Sequence, residues 1–80
     1  MVQQEILEII TPIFQRVFND DEMVVNMELT SEDIEGWSSL TQTIMLTKIE
    51  EEFGIVFKIR EVAEMDNVEA IVNHIESKLG

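Results

Sequence analysis

Apolar residues recur at helical spacing in three stretches of the chain, and these stretches divide it into segments. Over residues 2–18, Val2, Ile6, Ile9, Ile10, Ile13 and Val17 fall at intervals of three and four, one stripe of an amphipathic helix, and Leu7, Phe14 and Phe18 widen that stripe. Pro12 interrupts it. Proline has no N–H, and its ring collides with the carbonyl four residues back, so a kink or broken turn is expected over Glu8–Thr11. The apolar phase resumes beyond it, which predicts one kinked helix. Residues 39–53 give the clearest helical pattern, with Met45, Leu46, Ile49 and Phe53 inward and Gly54 directly behind as a stop, because glycine tolerates the left-handed conformation that ends helices. A last helix is predicted over Val68–Lys78, with Val68, Ile71, Val72, Ile75 and Leu79 inward.

The segments between are less periodic. Residues 19–38 begin with a polar turn, yet Met23, Val24, Val25, Met27 and Leu29 are too apolar for a free linker, so some of them pack on the core. Thr30-Ser31-Glu32-Asp33 has the form of a helix start and predicts a single short turn. Residues 55–58 read as an extended apolar connector, Ile59–Met65 as a short helix, and Asp66-Asn67 as a turn. The fold class is therefore all-α: a small bundle of three main helices plus one short helix, a single domain over residues 1–80, with a long loop between the first and second helices. Long loops that stay ordered tend to carry function.

Composition narrows the classes of function. Eighty residues allow one domain, and folding at this size hides only roughly 60% of the unfolded surface. No cysteine is present to staple so thin a core, and one histidine without cysteine excludes a zinc-type cluster. The acidic loop lacks the alternating oxygen ligands and the glycine of a calcium-binding loop. Seventeen acidic residues against five basic ones give a net charge of −12, which repels nucleic acid and anionic lipid and attracts basic protein surfaces. No stretch is long or apolar enough to span a membrane, and no basic region followed by an apolar run opens the chain. The expectation is a cytoplasmic monomer.

Catalysis finds little support. A serine nucleophile needs a base within reach, and the one histidine, His74, belongs to the last helix, where a half-exposed surface role accounts for it. No pair of carboxylates is singled out as acid and base, and so small a bundle has little room for a pocket. The stretch WSSL, residues 37–40, offers a different chemistry. Ser38 and Ser39 stand where the clearest helix begins, and capping alone explains two serines there. The same unpaired N–H groups and positive dipole end also favour an anion, so a phosphate ester on Ser39 would be stabilised in place.

The wider stretch DIEGWSSLTQTIMLTKIEEEFGI, residues 33–55, resembles the modification-site helix of acyl carrier proteins. Ser39 precedes Leu40, an amphipathic helix follows, and Glu50, Glu51 and Glu52 lead into Phe53 and Gly54. The resemblance continues without a gap through Phe57, Met65, Val68, Val72 and Ile75, and more weakly through ITPIFQRVF in the first helix. Gly36-Trp37 resembles a subset of free-standing carriers of specialised pathways. The resemblance implies a 4′-phosphopantetheine arm on Ser39, joined through a phosphodiester and ending in a thiol that holds acyl groups as thioesters. It implies that the acyl chain can tuck between the helices. The partners it implies are a phosphopantetheinyl transferase and acyl-loading and acyl-processing enzymes that dock basic surfaces on the second helix. Fatty acid, polyketide, nonribosomal peptide and surface-polysaccharide systems, and carriers of the aminoacyl type, all share this arm.

Two positions depart from the family's pattern. Ser38 stands where the family keeps aspartate, which preserves a cap but removes a negative charge beside the modified hydroxyl. A carrier-fold interaction module without a prosthetic group is the alternative this leaves. Ile44 stands near a position that is often acidic. It forms either a partly apolar docking surface with Leu40, Thr43 and Thr47, or core beneath the long loop. Glu50, Glu51 and Glu52 cannot all face inward. They lie at the negative end of their helix dipole, a mild cost that a partner rich in Lys and Arg would offset. Trp37 is expected to plug the loop onto the core, since one indole is a large share of so small an apolar interior.

Overall fold

In the computed structural model, which covers residues 1–80, α1 spans Gln3–Val17. The Val2 N–H donates to Glu5 Oε1 at 3.1 Å, so the helix supplies a carboxylate acceptor for one donor at its own start. Ile6, Ile10 and Phe14 are fully buried, a stripe at intervals of four, while Ile9 and Ile13 lie at its edge and Val2 is exposed. Phe14, expected only to widen the stripe, is instead one of its three fully covered members. Pro12 does not break the helix. It lies on the exposed side with Glu8, so the carbonyl left without a partner faces solvent.

Helix α2 spans Ser39–Phe53, as its pattern predicts, and buries Met45, Leu46 and Ile49. Gly54 closes it in the left-handed conformation, φ 66°, its N–H returning to the Glu50 carbonyl. Helix α3, Ile59–Val62, is one turn, shorter than expected, and buries nothing; Ile59 at its start is 91% exposed. Met65, expected inside this helix, follows it in a turn and is fully buried. Helix α4 spans Val68–Leu79, capped by the Asn67 side chain, which accepts from the Ala70 N–H at 2.8 Å. Val68, Ile71, Val72 and Ile75 are buried, but Leu79, the last residue of the helix, is 39% exposed rather than inward.

Helix α1 packs against both α2 and α4, and the core lies among these three. The loop from Phe18 to Ser38 closes over it. Val25 and Ile34 are its buried anchors, and Val24 is exposed. Main-chain bonds tie the loop to the start of α4: Val68 N–H to the Leu29 carbonyl at 2.9 Å and Ser31 N–H to the Asp66 carbonyl at 2.8 Å, around an isolated bridge between Thr30 and Asn67. The expected short turn at Thr30–Asp33 forms, with Asp33 Oδ2 accepting from the Thr30 N–H and hydroxyl. Trp37 plugs the loop's end into the bundle, its ring centroid 5.6 Å from that of Phe14 and 6.0 Å from that of Phe18.

Polar contacts supplement the partial burial of Val62 in holding α3. Glu61 Oε1 accepts from the Lys58 N–H at 2.6 Å and from Lys78 Nζ at 2.9 Å, and Oε2 lies 3.5 Å from His74 Nδ1. The hydrogen bond from Lys78, then that from the Lys58 backbone, lower the Glu61 pKa from 4.5 to about 2. His74, half-buried on α4, is thus occupied by a structural contact.

Candidate functional site

Local chemistry builds the head of α2. Ser38 is the N-cap, in extended conformation, and its Oγ accepts from the Thr41 N–H at 3.3 Å. Thr41 Oγ1 in turn accepts from the Ser38 N–H at 2.8 Å. The two residues satisfy each other's backbone donors, the reciprocal arrangement of a capping box with threonine in the place of glutamate. Gly36, with φ 95°, turns the chain into this cap.

Ser39 is the first residue of α2, and its side chain is exposed. Its carbonyl accepts from Thr43 Oγ1, whereas the hydrogen bonds of the cap are made by Ser38 and Thr41. The hydroxyl is therefore free to be esterified without loosening the helix start. No acidic residue occupies the first turn of α2, so no carboxylate competes there for the helix's positive end. Ser39 also stands on the rim of a cleft of about 310 Å³, whose other walls are Gln42 and Thr43 of α2, Val62 of α3, and Ala63 and Asp66 behind it.

Past Ser39, α2 presents a second face. Leu40 is 71% exposed and Ile44 is 42% exposed, so Ile44 is not core beneath the loop. Thr43 and Thr47 lie on the same face at helical spacing, both exposed. Their hydroxyls donate back to the carbonyls of Ser39 and Thr43, at 2.9 and 2.8 Å. With those hydroxyls satisfied, the strip from Leu40 to Thr47 is largely hydrocarbon.

The acidic end of α2 divides. Glu50 is half-buried, and its Oε2 accepts from the Phe57 N–H at 2.7 Å, which fixes the connector between α2 and α3. Glu51 and Glu52 are exposed and border a groove of about 420 Å³ shared with Ile9, Pro12, Ile13, Arg16 and Lys48. The structural duty of Glu50 depends on a partner seven residues away across the Gly54 turn, and no local pattern announces it. Gln42 was likewise not singled out by its sequence position. It joins Trp37 to Val62, donating from Nε2 to the Val62 carbonyl at 3.0 Å and accepting from the indole N–H at 2.9 Å.

Comparison with known proteins gives this arrangement its context. The family described as phosphopantetheine attachment site matches residues 5–75. The fold is similar to the solution structure of a holo acyl carrier protein from Geobacter metallireducens, with a TM-score of 0.84 and 33% sequence identity over 91% of this chain and 84% of that one. No curated protein sequence matches. The covalent cofactor of this family is 4′-phosphopantetheine, and the free hydroxyl, open N–H groups and acid-free first turn at the head of α2 fit its phosphate. From the capped serine pair to the three-helix core that holds it, the chain belongs to the acyl carrier protein family.

Proposed function

We propose that the chain carries an acyl group as a thioester on a 4′-phosphopantetheine arm attached to Ser39 and presents it to partner enzymes. The observation that carries this reading is the division of labour between the serines: Ser38 holds the cap, and Ser39 is exposed with its hydroxyl outside the capping bonds. Ser39 supplies the oxygen of the phosphodiester. The one histidine faces Glu61 and so does not serve that oxygen as a base, and the proton passes to the transferase. When bound, the arm supplies the thiol on which acyl groups are held. The chain's own residues orient and dock.

Docking falls to the outer face of α2. Leu40, Thr43, Ile44 and Thr47 form the apolar strip, and Glu50 and Glu51 place negative charge beyond it, with one oxygen of Glu50 committed to Phe57. The fitting partners are a phosphopantetheinyl transferase and acyl-loading or acyl-processing enzymes that ring an apolar contact with Lys and Arg. In this reading the 80 residues act as one monomeric, non-catalytic unit in the cytoplasm. No helix is long and apolar enough to cross a membrane.

Incubation with coenzyme A, magnesium and a permissive transferase is expected to add the mass of phosphopantetheine. Ser39→Ala abolishes the gain and Ser38→Ala retains it. The reverse pattern would refute the assignment of the serines. No gain with any of several transferases would leave an interaction module without a prosthetic group.

A further inference from the structure

The cleft beside Ser39 lies between α2 and α3, and one side chain crosses that seam. Gln42 uses both ends of its amide there, accepting from Trp37 Nε1 at 2.9 Å and donating to the Val62 carbonyl at 3.0 Å. The indole can only donate and the carbonyl can only accept, so the amide has one orientation. Trp37 is itself wedged against Phe14 of α1 and Phe18 just beyond its end, and Val62 packs on the core. The link therefore joins α1, the loop, α2 and α3 beside the cleft on whose rim Ser39 stands.

An alkyl chain passing between α2 and α3 at this cleft would part Gln42 from Val62 and set hydrocarbon against a half-buried amide and carbonyl left without partners, which is unfavourable. Two ordinary hydrogen bonds bias the seam toward closure by on the order of tenfold or more. A short or hydroxylated group has no need to enter. It finds the Gln42, Thr43 and Asp66 side chains on the cleft wall, with Val62 and Ala63 as the apolar remainder.

Resting on the carrier reading above, we propose that Gln42 is a specificity-determining residue that bars long alkyl chains from the core, so that the cargo is a short, polar acyl or aminoacyl group held at the cleft. The test loads the full chain from acetyl- and octanoyl-coenzyme A with a permissive transferase and verifies each product by mass. Met45 and Met65, both fully buried, serve as methyl NMR probes of the core. In the unsubstituted protein the two loaded forms are expected to share the same Met45 and Met65 resonances and the same Tm. In Gln42→Ala, and in Gln42→Leu should the smaller side chain impair folding, the octanoyl form alone shifts both resonances and melts higher than the acetyl form. Equal octanoyl shifts with and without Gln42 would overturn the proposal, as would a variant whose core ignores the octanoyl chain. A chain that gains no mass from either donor refutes the carrier reading itself, and the proposal with it, before any spectrum is recorded.

Discussion

At the scale of single residues, having serine rather than aspartate at the N-cap of α2 has two separable consequences. The cap survives, because a hydroxyl accepts from the Thr41 N–H as a carboxylate would. The charge does not, and an anion at this position would interact favourably with the helix dipole. Ser38→Ala is expected to cost about 1 kcal/mol, a fall in Tm of roughly 4–8 °C for a domain of this size by thermal unfolding. Ser38→Asp is expected to leave Tm equal or slightly higher and to raise the rate of arm transfer, read as kcat/KM of the transferase. A lower rate with aspartate would show that the missing charge is not what the transferase reads.

Among the helices, α3 and the outer face of α2 owe their places to different forces. Helix α3 buries no residue fully, so beside the packing of Val62 and its bond from Gln42 it is tied down by Glu61, whose carboxyl is held near pKa 2 chiefly by Lys78 and the Lys58 N–H. A depressed pKa contributes stability that is fully present above the unfolded value of 4.5 and is lost as pH falls through about 2. Glu61→Gln is therefore expected to melt lower than the parent at neutral pH, with the gap in Tm shrinking as pH falls from 4.5 towards 2. A gap that does not change with pH would refute the ion-pair account. The α2 face behaves in the opposite way, since its apolar groups are exposed in the free chain. Ile44→Lys is expected to leave Tm within a few degrees, since exposed substitutions change stability by about 0.5 kcal/mol or less. The same change should raise the Kd for a loading enzyme on the order of tenfold or more, measured by calorimetry.

Across the whole molecule, a net charge of −12 is confined to a body of 31 × 25 × 21 Å. The Debye length is about 10 Å at 0.1 M salt, so at low ionic strength the carboxylates repel one another across much of the molecule. Added sodium chloride is expected to raise the Tm of the free chain and to weaken its association with a basic partner surface. Salt-dependent melting curves and binding isotherms would check the two halves of this prediction. A partner affinity insensitive to salt would mean that the apolar strip of α2 alone carries docking.

Much of this fold is written locally. The spacing of apolar residues sets α2 and α4 to within a residue or so, Gly54 ends α2, and the serine pair marks its start. These features need only the geometry of one helix and its termini, which a linear pattern carries. The stretch from Ser39 to Gly54 carried the resemblance to acyl carrier proteins, and the family match over residues 5–75 bears out the family. Tertiary structure decided the rest. Periodicity does not choose between neighbours on a helix edge, so it took the packing of α1 against α2 and α4 to make Phe14 core and to leave Ile44 outside. The Glu61–Lys78 pair, the Glu50 contact with Phe57 and the Trp37–Gln42–Val62 link join residues on different elements. A polar side chain finds such a partner only once the chain has closed, because the hydrogen bond depends on distances that no local repeat encodes.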